Sequence, residues 1–498
     1  MRLGELLRDM RGVETTDSRD PVVSMVSADS REIAPGALFA SLAGCDGKGK
    51  EHIEQALEKG AAALLLPCMP SLSLPVPCVV AEDVRKALGE AADGFYDHPS
   101  RSLDLIGVTG TNGKTTTAYL LRHLFNRFGR RTGMLGTIEY DLGNRLEPAP
   151  LTTPDAVRFT RSLAEMRDFG CRAAVVEVSS HALDQDRVWP HRFACAVFTN
   201  LTRDHLDYHG DMESYFEAKR LLFSRLDDKA AAVFNYRDPA GLRMAEGVSA
   251  KRLGYVLQGT GQDAAGLPAD AHRVEITASD LGGQSFTVSG PKLDREFRTP
   301  LVGRHNVENC AGAVLAGAAM GIPEHTIAEA MADFPGVPGR LERVESFTGA
   351  TAFVDYAHTD DALRSVLSVL RPLAKGKLIT VFGCGGDRDG GKRPLMAKAA
   401  EEYSDLIVVT SDNPRTEDPQ RIIDDIMRGF SSRDKVGVDA DRAGAVRLAV
   451  SKAGSGDVVL VAGKGHEDYQ IVGTEKRHLD DRELVRDAFA ASRRGSMQ

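Results

Sequence analysis

The sequence predicts an α/β protein of three domains: a smaller α/β domain at the N-terminus, a central phosphate-loop-type domain with a mostly parallel sheet, and a C-terminal domain with a Rossmann-like sheet. Three observations predict it. Apolar runs of strand length alternate with helical stretches, a glycine-rich turn ending in Lys-Thr follows one of those runs, and the alternation restarts after residue 336. The length of 498 residues suits about three domains. Boundaries at 98 and 335 divide the chain into 1–98, 99–335 and 336–498.

In the first segment "GALFASL" and "AAALLLP" read as strands, with the helix "HIEQALEKG" between them. "PCMPSLSLPVPC" is too rich in proline for a central strand and reads as a loop. The helix "VRKALGEAADGFYDHPS" stops at Pro99. In the second, "LDLIGVTG" is a strand, "KTTTAYLLRHLFNRFG" a helix, and "CRAAVVEVSS" and "FACAVFTNL" are buried strands, apolar throughout and bounded by polar residues. The third repeats the unit with "GATAFVDYA", "GKLITVFGCGG", "SDLIVVTSDN" and "GDVVLVAGKG". Glycines and polar residues follow each of these strands, at the ends where open α/β sheets gather ligands. "FPGVPGRLE" before the restart reads as an interdomain hinge.

Composition narrows the function. The chain is 42% hydrophobic and 27% charged with a net charge of −9, so no global basic field draws it to nucleic acid or anionic lipid. Anions must be handled by local Lys, Arg, helix N-termini or metal ions. The seven cysteines show no CxxC or zinc-ligand spacing, which suits reduced thiols in a cytoplasmic protein. "MRLGELLRDMRG", with Glu5 and Asp9, is not a signal peptide. "AGAVLAGAAMGI" falls short of the roughly 18 residues that suggest a membrane span and reads as a buried helix.

The chemistry begins at "GVTGTNGKTTT". The common phosphate loop places glycine five residues before Gly-Lys-Ser/Thr, and Val108 stands there, with Gly110 two places later. The context of strand, glycine-rich turn, Lys-Thr and helix is still what a phosphate cradle needs. Lys114 would meet the β/γ-phosphates, and Thr115 or Thr116 would hold Mg²⁺. Glu177 ends a strand, where a carboxylate suits a second Mg²⁺ or is simply a solvated strand end. His205 lies in a stretch dense in Asp, His and Lys, readable as metal site or as solvated loop before an amphipathic helix. Lys219 is an odd ligand, because an ammonium repels Mg²⁺. Asn306 and Asn309 open a helix, where either could merely cap. "VFGCGGDRDGGKRPLM", "TSDNPRTEDP" and "VAGKGHEDYQ" place Arg388, Arg415, Lys464 and Glu467 after three strands. Two arginines can clamp carboxylates and Glu467 can pair with an ammonium, which suits a substrate bearing both groups.

Taken together these motifs resemble the Mur ligase family of ATP-dependent, amide-forming ligases of peptidoglycan synthesis, whose phosphate loop is spelled Gly-Thr-x-Gly-Lys-Thr/Ser, as in "GTNGKTT". "TTPDA", "EVSSHAL", "TNLTRDHLDYHGDMESYFEAK", "VDYAHT", "GCGGDRD" and "DNPR" look most like the branch that adds the third amino acid to UDP-N-acetylmuramoyl-L-alanyl-D-glutamate. The resemblance covers essentially the whole chain. It implies that Lys219 is carbamylated by CO₂ to N6-carboxylysine, a carboxylate-like ligand. Glu177, His205 and that carbamate would then surround one Mg²⁺, with another at Thr115. Gly110, Thr111, Asn112, Gly113, Lys114, Thr115 and Thr116, with Asn306, Arg340 and Asp355, match ATP-binding positions. Ser30, Thr152, Thr153, Ser179, Gln185 and Arg187 match the muramoyl-dipeptide site. Arg388, Asp412, Asn413, Pro414, Arg415, Gly463 and Glu467 resemble a meso-diaminopimelate pocket, the arginine of "DNPR" being usually absent from lysine-adding relatives.

The implied partners are those small molecules, with no nucleic acid, no membrane insertion and a monomeric chain. The implied mechanism runs through an acyl phosphate, with the third domain closing about residues 336–340. Two departures stand out: Lys48 where relatives often show Asp, and Asp360 where proline is common. An L-lysine-adding ligase, a folylpolyglutamate synthase and a nucleotide-dependent switch are the rival readings.

Overall fold

The computed structural model describes residues 1–495 except 16–17, 70–73, 260–267, 292 and 345–348. Part of the proline-rich stretch read as a loop, residues 70–73, lies outside the described residues. The chain forms two compact units. One comprises 1–274, 289–294 and 309–330; the other comprises 275–288, 295–308 and 331–498.

The first unit holds two sheets. The smaller has five strands in the order Val13–Thr15, Cys78–Ala81, Ala63–Leu66, Ala37–Ala40, Met25–Ser27. All neighbours are parallel except the first pair. Helices Lys48–Glu58 and Val84–Phe95 accompany it, and the buried side chains separate into two clusters, one around Leu38, Leu65 and Leu88, the other around Phe39, Leu64 and Ile53. Both expected strands and the helix between them are present. Cys78–Ala81 was hidden by the prolines before it, since Pro75 and Pro77 end where the strand begins.

In the larger sheet seven strands run parallel, in the order Ala271–Asp280, Lys251–Leu257, Ala231–Asn235, Cys195–Phe198, Asp104–Thr109, Ala173–Glu177, Thr132–Leu135. Asp104–Thr109 is the switch point. The chain leaves it for Thr132–Leu135, two places to one side, and later returns to Cys195–Phe198 on the other. Such a reversal opens a crevice at the strands' carboxyl ends. The register pairs Glu177 with Val108 and Phe198 with Thr109, so the loops after these strands emerge together. "AGAVLAGAAMGI" belongs largely to the helix Arg304–Ala319, and no helix among the described residues is long and apolar enough to cross a membrane.

The second unit carries a six-stranded sheet in the order Glu342–Val344, Thr351–Asp355, Val458–Ala462, Leu378–Phe382, Leu406–Val409, Val436–Val438, parallel apart from its first pair. Its four inner strands are the four expected ones. They read clearly because burial on both faces makes them continuously apolar. The edge strands are three residues long and partly exposed, which leaves no apolar run to read. Val458–Ala462 enters between two strands that precede it, so a second switch point gathers the loops after Asp355, Phe382, Val409 and Ala462.

Asp360 opens the helix Asp360–Leu370, whose cap is Thr359 at φ −125° and ψ 161°, with Thr359 Oγ1 accepting Ala362 N–H at 3.3 Å. The first helical position tolerates proline because its N–H has no helical partner, and an extended residue before it is what proline requires. An acidic residue there is favoured by the helix dipole. Asp and proline are therefore interchangeable solutions. Asp360→Pro should change unfolding free energy by no more than about 0.5 kcal/mol, measured by urea denaturation, whereas proline at Val366 in mid-helix should cost about 3 kcal/mol or more.

Candidate functional site

Gly110 and Gly113 frame the turn after Asp104–Thr109, with φ of +148° and +84°. A Cβ at Gly110 would strike Thr199 Oγ1, and one at Gly113 would strike Asn309 Oδ1. Only glycine fits. The turn is stapled to the end of the neighbouring strand: Thr111 N–H donates to Asn200 O at 2.8 Å, Asn112 N–H to Asn200 Oδ1 at 2.9 Å, and Thr199 Oγ1 to Asn112 O at 2.6 Å. Thr111 Oγ1 lies 3.1 Å from the Tyr215 hydroxyl. Helix Lys114–Arg127 follows directly, placing its N-terminus and the Lys114 ammonium at the turn. Lys114 Nζ donates to Gly110 O at 2.9 Å and Thr111 O at 2.8 Å, while Thr115 and Thr116 are buried. Sequence inspection missed the stapling residues Thr199 and Asn200, although "TNLT" directly follows a buried strand.

Glu177 is fully buried, not a solvated strand end. Its Oε2 accepts from Thr115 Oγ1 at 2.9 Å and Thr137 Oγ1 at 3.0 Å, and its Oε1 from Thr137 N–H at 2.9 Å. All three donors are neutral. A buried carboxylate with a threonine hydroxyl beside a phosphate cradle is a donor set of the hard-oxygen kind that Mg²⁺ prefers. Thr137 is a further residue that sequence reasoning passed over, lying just beyond the strand Thr132–Leu135.

Lys219 is buried on the helix Met212–Ser224, its Nζ donating to Gly110 O at 2.9 Å and standing 4.6 Å from the centre of the Tyr215 ring. Burial pushes its amine well below the ordinary lysine range, and the nearby Lys114 charge adds to that. His205 sits at φ +54° before the short helix Leu206–His209. Its Nε2 is 3.5 Å from Asp204 Oδ2, and its ring centre lies 4.9 Å from that of His181 and 6.0 Å from that of Tyr215. The structure thus joins Thr115 to Glu177 and Lys219 to the turn, and sets His205 against Asp204, His181 and Tyr215. Among the described residues no three His, Cys, Asp or Glu side chains are grouped to hold a metal.

The expected dipeptide-binding residues are knitted together beside Glu177. Thr152 Oγ1 lies 3.1 Å from Thr137 Oγ1; Thr153 Oγ1 donates to Glu177 O at 2.7 Å and accepts Ser179 N–H at 3.0 Å. Arg187 donates to Thr153 O at 3.0 Å and grips Gln185 Oε1 with Nη2 at 2.7 Å. Gln185 and Arg187 line a cavity of about 770 Å³ with Asp29, Arg85, Tyr140 and Arg158. Ser30, next to Asp29, donates its hydroxyl to Gln55 Oε1 at 2.5 Å.

In the second unit Arg415 stands at φ +52° on the loop after Leu406–Val409, with Nη1 donating to Gly386 O at 2.8 Å. A side chain at Gly385 would touch both Arg415 and the exposed Arg388, so the two arginines flank it. Asn413 donates to Glu467 Oε2 at 2.8 Å, and buried Lys464 bridges Asn413 Oδ1 at 3.2 Å and Glu467 Oε2 at 3.3 Å. Pro414 is buried between them in sequence. Asp412 and Gly463 close the same group, a Cβ at Gly463 falling 2.7 Å from Asp412 Oδ2. Asn306, the third residue of its helix, donates to Val302 O at 2.8 Å. Arg340 lies over the Tyr356 ring at 5.0 Å. Asp355 accepts N–H groups from Leu341 at 2.7 Å and Ala357 at 2.8 Å, and burial pushes its pKa up.

A phosphate loop at one switch point, and arginines with carboxylates at another, are the equipment of a nucleotide-dependent ligase. Three family models match the chain: the Mur ligase family catalytic domain over 22–96, the Mur ligase middle domain over 108–317 and the Mur ligase glutamate ligase domain over 339–465. The chain belongs to the Mur ligase family, whose members form amide bonds at the expense of ATP. It is 46% identical over 474 residues to the UDP-N-acetylmuramoyl-L-alanyl-D-glutamate–2,6-diaminopimelate ligase of Thermosynechococcus vestitus, covering 94% of this chain and 93% of that one. It is 42% identical over 518 residues to the ligase of the same name from Geobacter sulfurreducens, covering 99% and 100%. A solved structure of a ligase of that name superposes with a TM-score of 0.71 at 32% identity over 95% of each chain. A Mycobacterium tuberculosis folylpolyglutamate synthase shares the fold at 20% identity, with a TM-score of 0.60 over 80% of this chain and 94% of that one.

Gly110→Ala should weaken ADP binding by at least roughly tenfold, read as loss of the thermal stabilisation that ADP gives. Gly170→Ala is the control: its φ of +81° also disfavours a side chain, but nothing lies within 4 Å of the added carbon. ADP affinity there should be unchanged.

Proposed function

We propose that this protein joins meso-diaminopimelate to UDP-N-acetylmuramoyl-L-alanyl-D-glutamate, with ATP converted to ADP and phosphate. The observation that carries the reading is the loop Asp412–Arg415, which presents Arg415 beside Arg388 in a chain similar end to end to ligases named for that acceptor. A second guanidinium matters only for an acceptor with a distal carboxylate, which lysine lacks. Three working parts follow, 1–98 for the uridine nucleotide, 99–335 for ATP and 336–498 for the amino acid, in a monomeric cytoplasmic enzyme with neither nucleic-acid nor membrane partners.

The γ-carboxylate of the D-glutamyl residue attacks the γ-phosphorus and ADP leaves, giving an acyl phosphate. The amine at the L-centre of the acceptor then attacks the acyl carbon; inorganic phosphate leaves and the nitrogen gives up a proton. Lys114 and the helix N-terminus stabilise charge on the phosphates, and the stapled turn keeps those donors fixed. Arg187 and Gln185 hold the dipeptide end of the muramoyl substrate, with Thr152, Thr153, Ser179 and Ser30 shaping its seat. Asn306, Arg340 and Asp355 serve the nucleotide. Mg²⁺ would be held by Thr115 at the β/γ-phosphates and by Glu177, His205 and carbamylated Lys219, and supplies neutralisation of the phosphoryl charge. The depressed pKa of Lys219 supports the carbamate, because only a neutral amine adds to CO₂.

Phosphate release from ATP, measured with the muramoyl dipeptide and meso-diaminopimelate, L-lysine or L-ornithine in turn, tests the reading. Release with meso-diaminopimelate alone is expected. Release with L-lysine would keep the ligase and reject the acceptor; release with no acceptor at all would reject the ligase. CO₂-depleted buffer should lower activity and bicarbonate restore it, while Lys219→Ala should be inactive and indifferent to bicarbonate.

A further inference from the structure

Beneath the Asp412–Arg415 loop lies a buried ion pair to which neither sequence motif nor family resemblance assigned a role. Arg442 opens the helix Arg442–Ser451, and Asp481 opens the helix Asp481–Gly495; both side chains are wholly buried. The pair is bidentate, with Arg442 Nε donating to Asp481 Oδ1 and Nη2 to Oδ2, each at 2.7 Å. The guanidinium has further donors and spends them on backbone. Nη2 donates to Ala462 O at 3.0 Å and Nη1 to Ser411 O at 3.2 Å.

The positions of those two carbonyls are informative. Ser411 directly precedes Asp412 and Asn413, and Ala462 directly precedes Gly463. One planar group therefore fixes the separation of the two backbone segments that form the proposed acceptor pocket. Asp412 itself is nearly buried, with Oδ1 accepting Asn413 N–H at 2.7 Å. Its Oδ2 has no hydrogen-bond partner among the described residues and stands 3.8 Å from Arg442 Nη1, an ion-pair distance too long for a hydrogen bond. A Cβ at Gly463 would meet that same oxygen at 2.7 Å and Arg442 Nη2 at 3.8 Å. This buried oxygen of Asp412 is thus held in place by Arg442 on one side and Gly463 on another.

We infer that Arg442, locked by Asp481, is a positioning residue for acceptor binding: it sets the spacing of Ser411–Asn413 against Ala462–Gly463 and holds the Asp412 carboxylate against Gly463. This rests on the reading of the pocket as the acceptor site. Lysine could supply the charge but not the planar fork, so Arg442→Lys separates positioning from charge balance.

Steady-state kinetics of the full-length enzyme with each substrate varied in turn provides the test. Arg442→Lys should raise KM for meso-diaminopimelate by roughly 10- to 100-fold, as expected for losing hydrogen bonds from a charged group, and leave KM for ATP and for the muramoyl dipeptide within about twofold. At saturating acceptor kcat should stay close to wild type. Asp481→Glu, which keeps the charge but displaces the fork by one methylene, should show the same acceptor-selective rise and serves if Arg442→Lys does not fold. An unchanged acceptor KM in a folded variant overturns the inference. So does a uniform fall in activity that tracks lost thermal stability, since a merely structural brace would affect all substrates alike. If wild type saturates with another amino acid instead, the pocket's assigned acceptor is wrong, and the positioning role is judged by the same selective rise in KM for that amino acid.

Discussion

Glu177 is a carboxylate buried at the carboxyl end of an inner strand, where its oxygens must find hydrogen-bond donors, and the first unit is organised around that requirement. The register that pairs it with Val108 puts it one strand from the phosphate turn. Three neutral donors fix both of its oxygens, and the two residues that supply them, Thr115 and Thr137, belong to the turn's helix and to the loop just past the next strand. Lys114 and the N-terminus of the helix Lys114–Arg127 bring positive charge to the same turn. The backbone carbonyl of Glu177 extends the system through Thr153 to Ser179 and Arg187, so the wall of the cavity lined by Gln185 and Arg187 is tied to the same residue.

The two sheets solve one problem twice. Strands buried on both faces leave no room for polar chemistry along their length, so it collects at their carboxyl ends where the order reverses. At the first switch point the loop carries glycines and a helix N-terminus, which recognise phosphate by backbone. At the second the loops carry the charged side chains of Arg388, Arg415, Asp412 and Glu467. Lys464 shows the consequence of packing such groups closely. It is buried between Asn413 and Glu467, so one side of the Glu467 carboxylate is already engaged.

Much of this was legible in the sequence, for physical reasons that also explain what was not. The inner strands and the phosphate turn announce themselves because double-sided burial forces unbroken apolar runs and because Gly110 and Gly113 occupy backbone conformations closed to other residues. Lys219 stood out only as an anomaly; its burial and its contact with Gly110 O are tertiary facts that no local pattern encodes. Thr137, Asn200 and Arg442 were invisible for a related reason. Each acts through a bond to a residue at least 31 positions away, and threonine, asparagine and arginine at strand or helix ends are ordinary in themselves. His205 was readable as a ligand by type, but its immediate partners, Asp204, His181 and Tyr215, depend on a left-handed turn that its sequence does not signal.

Lys219 and Arg442 show how two buried cations can be pushed in opposite directions by the charges they meet. Neither side chain has access to water, and burial works against the charged form of both. For Lys219 the burial comes first, the like charge of Lys114 adds to it, and the opposing pull of Asp204 is smaller, so its pKa is pushed well below the ordinary lysine range. Arg442 faces Asp481 across a bidentate bridge whose attraction outweighs the desolvation, so its pKa is raised and its charge is permanent. The residue types match these fates. A lysine amine gives up its proton readily and can then react, whereas a guanidinium keeps its charge and spends it on geometry. Exchanging them would leave a permanently charged group against the phosphate turn and a single-headed one, charged by Asp481 but without the planar fork, beneath the Asp412–Arg415 loop. The partner each one meets, a second lysine or an aspartate, therefore decides whether burial in this fold wins over the charge of the cation or is outweighed.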